Sequence, residues 1–518
     1  MMKQYFIITV FLALIMSMSW AQSQITNTGQ GLEDVSVYAN ISLIENNDEW
    51  LFFTNRLVYQ KGEENVFYRQ NKATGHVDHF KVGDVGQYNF AFCDDVNLNL
   101  YYAASKKKEK MLALYRTSIP ISISKIKPVF NLYKSIPYDV TSEVKFHSAT
   151  SPDRSKHCIV VDFSNKNEGL IGFYFIVLDH DGNIIWERNE PYKLSSAYTI
   201  PSTFISNEGN VSLMIETCNA KPSLIKLYDA YYYDPLVNDD KVKITTLQLF
   251  TATKANFWHF SQEIDFGNIH SYKAVMLNHN NFFIGGFYST DHVKETAGYF
   301  SYLFNNQGEK LQSNIEPFNP NWVPESFVGY EQKAMSKNDF ITRVVDIHEL
   351  ANGNVVMLSE QIYADKEFIS DAGYPLYNYY VKNMMAQTFT QDGLFDKMLF
   401  VPRAQNFETV RLPLFYMDYT VTASSFCKGN DLYLLYNDHY DNYIVKPNTW
   451  LSLQEQQKNK SAVILTKISE NEEIESQVVL KPQKKSCLLQ SAFYHTDQDI
   501  YLILNKYPDI FSVETLIY

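Results

Sequence analysis

The chain has 518 residues, a formal net charge of −13 and 15% aromatic residues. That length supports at least one large core, and a negative balance without a long basic stretch makes a poor binder of nucleic acid or anionic lipid. Five scattered cysteines with no CxxC pair exclude a disulfide framework and a zinc ribbon.

Lys3, the apolar run Tyr5–Met18 and the small residues of Ser19-Trp20-Ala21 have the form of a secretory signal over residues 1–21. Cleavage is expected before Gln22, with no Cys after it to carry a lipid. No later segment reaches the ~20 apolar residues of a membrane span. The expected product is exported, periplasmic or at the outer surface. Residues 22–34 read as a polar leader and 35–518 as the folded part.

From there one rhythm recurs: a polar turn, then a short apolar and aromatic run. Eight runs stand out: Glu49–Asn55, Leu98–Ser105, Cys158–Ser164, Asn210–Thr217, Phe282–Ser289, Asn354–Gln361, Asp431–Asp438 and Asp499–Lys506. Hairpins follow several of them, turning at Asp181-Gly182, Gln307-Gly308, Asp392-Gly393 and Glu470–Glu472. Asp-Gly between apolar alternations is a strong hairpin signal, because Gly accepts positive φ without steric cost. Four antiparallel strands per unit, repeated without a linker, predict an all-β fold: a single seven- or eight-bladed β-propeller of four-stranded antiparallel blades. The last unit shows three strands, and Val35–Leu43 is expected to complete it and close the ring. Gln454–Lys460 reads as one polar helix within a loop. Cys158, opening Cys-Ile-Val-Val, is expected as a buried thiol. Cys427 and Cys487 are the pair favoured if any disulfide forms.

The chemistry-bearing candidates are polar residues ending the strong runs: Asp162, Glu216, Glu360 and Asp438. In a radial array these ends would gather near one channel mouth. Converging carboxylates there would bind a cation or act as acid and base in glycan hydrolysis. The alternative is that strands end where polarity begins. Arg403, in a neighbouring unit, would hold a nearby carboxylate ionised, as a ligand-orienting pair or as an ion pair between blades. Asn437-Asp438-His439-Tyr440-Asp441-Asn442 is dense enough in oxygen ligands for Ca²⁺, although its spacing is not that of an EF-hand; the alternative is a self-bonded Asn/Asp turn. Asp179-His180-Asp181-Gly182-Asn183 lacks the bidentate Glu of a calcium loop and reads as a hairpin turn. The tryptophans, Trp186 and Trp258 among them, are candidate sugar-stacking platforms or core packing.

The Asp179–Trp186 stretch resembles the D-x-D-G-x-(I/V)-x-W turn of quinoprotein-like and arylsulfotransferase-like propellers, which implies the fold alone. The C-terminal half, about Val344–Leu480, resembles uncharacterised secreted β-propeller-like proteins of Bacteroidetes-type bacteria. The residues that carry the resemblance are Glu360-Gln361, Gly393, Pro402-Arg403 with Gln405, and Tyr436-Asn437-Asp438 with Asn442. The resemblance implies an exported propeller and transfers no catalytic residue. The reading that leads is an exported, non-enzymatic binding or scaffold propeller of the cell envelope, with a glycan or an envelope protein as partner. Its rivals are a carbohydrate-active enzyme with paired carboxylates at the channel mouth and a structural subunit of an envelope complex.

Overall fold

The computed structural model describes residues 24–28, 40–46, 50–56, 65–74, 76–82, 90–120, 129–138, 143–165, 170–193, 197–219, 243–290, 296–318, 341–369, 375–410, 423–444, 451, 453–454, 459–482, 487–494, 499–506 and 510–517. They form eight sheets, seven of them four-stranded and antiparallel, which is a propeller of eight blades. The blades begin at Asn40–Asn46, Phe90–Cys93, Glu143–Thr150, Ala197–Ile205, Asn268–Met276, Ile341–Glu349, Ser424–Lys428 and Cys487–Tyr494, numbered 1 to 8 in that order. These first strands pack on one another from blade 1 to 4 and from 5 to 8, which places them nearest the axis. Among the described residues α-helix is confined to one turn, Asp441–Ile444.

Each of the eight strong runs is the second strand of its blade. In blade 5 every residue of Phe282–Ser289 is buried. A strand in this position packs on both neighbouring blades, so both of its faces are interior and its sequence reads as a continuous apolar run. The core is accordingly a series of layers between blades. Val160 and Phe175 of blade 3 meet Leu213 and Phe250 of blade 4. Leu358 and Met384 of blade 6 meet Leu434 and Ile464 of blade 7. The fourth strands carry the solvent side; Ile184–Lys193 is largely exposed, apart from Trp186. Cys158 is buried in the layer between blades 3 and 4, where burial pushes its thiol up to about 12. Cys427 is also a thiol; the side chain of Cys487 lies outside the described residues.

Ring closure departs from expectation. Blade 8 is completed by Gln24–Thr28, which pairs antiparallel with Ile510–Ile517, while Asn40–Asn46 opens blade 1. The stretch read as a polar leader thus supplies the closing strand. An outermost strand is held by backbone hydrogen bonds and needs little apolar surface, so Gln-Ile-Thr-Asn-Thr carries no hydrophobic signature. Residues 1–21, read as a secretory signal, lie outside the described residues. Of the expected helix, Gln454 is in a strand, Leu453–Gln454, and 455–458 lie outside the description.

The predicted hairpins form between third and fourth strands, with φ of +80° at Gly182, +81° at Gly308 and +80° at Gly393. Their function is wider than the turn. The Gly182 carbonyl accepts hydrogen bonds from Tyr133 Oη (2.8 Å) and Arg116 Nη1 (3.2 Å) of the preceding blade. Asn314 Nδ2 donates to the Gly393 carbonyl at 2.6 Å, and Trp258 Nε1 to the Asn306 carbonyl at 3.2 Å. The recurring geometry makes each of these hairpins a staple onto the blade before it. Trp186 ties forwards instead, its Nε1 donating to the Gly209 carbonyl of blade 4 at 3.1 Å. Trp186 and Trp258 therefore tie one blade to the next, and Trp50 packs against the layer between blades 1 and 2. A Cβ at residue 182 would lie 2.6 Å from Arg116 Nη1. Gly182→Ala is expected to cost about 1–2 kcal/mol from its positive φ alone, plus the displaced Arg116 contacts, read as a lowered Tm.

Candidate functional site

Asp162, Glu216 and Glu360 lie on second strands, opposite Lys145, Thr199 and Arg343 of the respective first strands. They sit towards the strand ends away from the tight turns, but they do not converge. Alternate residues of a second strand face the neighbouring blade and not the axis, which separates these carboxylates into different interfaces. Tyr198 of blade 4 donates its hydroxyl to Asp162 Oδ1 at 2.6 Å. Tyr272 of blade 5 donates to Glu216 Oε2 at 2.7 Å, and Thr199 donates to the other oxygen. Both carboxylates are buried. A buried charge requires hydrogen-bonding partners, and here the partner comes from the next blade, so each acid is an interblade tie.

Glu360, Arg403 and Asp438 are brought together, between blades 6 and 7, and all three are 0% exposed. A backbone irregularity aims Arg403 inward. The third strand of blade 6, Pro375–Phe389, pairs with two successive strands, Phe395–Val401 and Gln405–Val410. Met384 opposes Val401 and Val381 opposes Gln405, so Pro402-Arg403-Ala404 faces Lys382-Asn383 with one residue in excess. Bulges of this kind redirect a side chain. Arg403 Nη1 then donates to Glu360 Oε2 at 2.9 Å, while Arg343 Nη2 donates to Oε1.

The network continues from blade 6 through blade 7 into blade 8. Arg403 Nη2 donates to Gln405 Oε1 at 2.9 Å, and Gln405 Nε2 donates to the Asn437 carbonyl of blade 7. The Asn437 amide accepts from Leu489 N and donates to Leu489 O of blade 8, both at 2.8 Å. One chain of hydrogen bonds thus joins blades 6, 7 and 8. The Arg403 guanidinium also lies over the Tyr436 ring, 5.6 Å from its centroid. Burial pushes its pKa down, and Glu360 and Asp438 oppose that shift. Two guanidiniums and two carboxylates balance, so the cluster is close to neutral without a ligand.

Asp438 is held from its own blade. Tyr443 Oη donates to its Oδ2 at 2.9 Å, and His439 N donates to Oδ1 at 2.8 Å. Burial first, and Asp438 second, push the Tyr443 phenol well above its usual pKa. Asn442 brackets the Leu451 backbone, its Oδ1 accepting from Leu451 N at 2.8 Å. His439 Nδ1 accepts from Asp441 N at 3.3 Å, and burial lowers its pKa. The side-chain oxygens of Asn437, Asp438 and Asn442 are engaged by protein donors, Asp441 pairs with Lys460 at 3.7 Å, and no group of three or more His, Cys, Asp or Glu suited to a metal occurs among the described residues. The sequence reading missed Arg343. The signal available was its place directly across the strand pair from Glu360.

No protein-family model and no curated protein matches the chain. Solved structures similar to it include the polysaccharide lyase Uly1, at 9% identity over 94% of this chain and 91% of that one, with a TM-score of 0.39. The β-propeller domain of the Trilobed protease from Pyrococcus furiosus is similar at 10% identity, 86% and 97% coverage, and a TM-score of 0.30. A Bacteroides caccae protein of unknown function is similar at 9% identity, 68% and 94% coverage, and a TM-score of 0.26. The fold is all-β and propeller-like on its own strand pairing. Its neighbours span a lyase, a protease domain and a protein of unknown function, so they favour no activity.

Proposed function

We propose that this chain is a non-enzymatic binding or scaffold propeller, exported to the cell envelope. The observation that carries the reading is the engagement of Glu360: it is fully buried, and both its oxygens are bonded to guanidiniums in a charge-balanced cluster. Glycoside hydrolysis needs two carboxyls facing each other across an open cleft, one of them able to donate a proton. Glu360 is closed to solvent and both its oxygens already accept from guanidinium groups, so it presents no free oxygen to a glycosidic bond. Asp162 and Glu216 are similarly engaged by tyrosines of the following blades. These groups support a rigid ring, and a rigid ring presents its two rims to partners. The exported location rests on the N-terminal signal pattern.

The test is electrophoresis of the purified mature chain through gels containing envelope polysaccharides, with a parallel assay for new reducing ends or unsaturated products. Binding without turnover is the expected result. Turnover that disappears in Glu360→Gln at unchanged Tm would overturn the proposal.

A further inference from the structure

A cleft of about 190 Å³ opens between blades 6 and 7 at the tight-turn end, opposite the Glu360 cluster. At ~30 Å³ per water that is room for about six waters, the scale of one side chain and not of an oligosaccharide. Its floor is aliphatic: Leu350, Val356, Leu432 and Ile468, each buried against the ring. Among the described residues no aromatic ring lines it, so they offer no stacking surface of the kind a sugar face would use.

The rim is polar and acidic. The Glu470 carboxylate is fixed by two amides, accepting from Asn430 Nδ2 at 3.1 Å and Asn352 Nδ2 at 3.3 Å. These amides come from the turns of two different blades, which holds the charge at the seam. Asp396 adds a second, exposed carboxylate. Among the described residues the one cation lining the cleft, Lys397, is paired with Glu472 at 3.0 Å. The rim therefore keeps an excess of negative charge, on a chain whose net charge is −13.

An aliphatic slot ending in carboxylates is complementary to a methylene stem ending in an ammonium group. We infer that this cleft binds a lysine side chain presented by a protein partner. The stem lies on Leu350, Val356, Leu432 and Ile468, and the ammonium group meets Glu470 and Asp396. This deepens the binding reading and rests on it.

The experiment uses the mature chain with ¹³C-labelled Leu, Val and Ile methyl groups, titrated with acetyl-Ala-Lys-Ala-amide. Saturable shifts confined to the methyls of the four floor residues are expected. The norleucine analogue, which keeps the stem and loses the charge, should bind at least about tenfold more weakly. Raising the salt should weaken the lysine peptide several-fold. Asp396→Asn with Glu470→Gln should weaken it about tenfold at unchanged Tm. Should Glu470→Gln lower the Tm, Asp396→Asn alone carries the same test with a smaller loss. No saturable floor shift, equal binding of the norleucine peptide, undiminished binding by the variants, or tighter occupation of the same methyls by methyl N-acetylglucosaminide would each overturn the inference. The broader binding reading fails separately, by turnover in the polysaccharide assay.

Discussion

Glu360→Gln is expected to destabilise the protein by roughly 3–5 kcal/mol, the cost of leaving a buried charge uncompensated. Shape is retained, but Arg403, 0% exposed, loses its counter-charge, while Arg343 keeps partial access to solvent. With an unfolding entropy of about 2.1 cal/mol/K per residue, the loss corresponds to about 3–5 °C in Tm for a chain of this size unfolding as one unit. A second variant separates the charge from the packing. Glu360→Met with Arg403→Met replaces the buried pair by apolar groups of similar length, and such replacements are often neutral. It should recover most of the loss, although Gln405 surrenders a donor. Differential scanning calorimetry of the single and double variants decides the matter. A Glu360→Gln protein with an unchanged Tm would show that the cluster does not hold the blades.

Acidification from pH 7.5 to 5 is expected to cost about 2 kcal/mol through His157 alone. This residue is 3% exposed, stacks on Phe92 of blade 2 with ring centroids 3.9 Å apart, and bonds Thr150 through Nδ1 at 3.0 Å. Burial, reinforced by His180 and Arg154, pushes its pKa down to about 4; Asp179 and Asp94 act in the other direction. The unfolded chain therefore takes up a proton from about pH 6.5 downwards while the folded protein refuses it until about pH 4. Stability is fully present above pH 6.5 and falls across that window, by about 3 kcal/mol in all. His348 and His439 are also lowered by burial and act in the same sense. His180 is raised, chiefly by its bond to Asp95 with burial opposing, and acts against them, though at a largely solvated site. Thermal melts between pH 7.5 and 5 should show the decline, and His157→Gln should flatten it. An equally steep profile in that variant would remove His157 from the account.

The local elements were legible in the chain because their causes are local. Continuous apolar runs mark strands covered on both faces, and each of the eight proved to be a second strand. Asp181-Gly182 and Asp392-Gly393 mark hairpins because only glycine takes a positive φ without strain. The eightfold recurrence of strand and turn then determines a radial all-β repeat. Three features were decided by the tertiary structure alone. Closure of the ring by Gln24–Thr28 pairs residues from opposite ends of the chain through backbone hydrogen bonds, which leave no mark on side-chain type. The inward turn of Arg403 arises from a one-residue excess in pairing with Pro375–Phe389, a matter of register between strands and not of any residue's character. The separation of Asp162 and Glu216 from Glu360 and Asp438 follows from which blade each strand face meets. Spacing along the chain set the height of these acids on their strands, but only the packing of blade on blade set their neighbours, and neighbours determine whether a buried carboxylate reacts or holds the ring together.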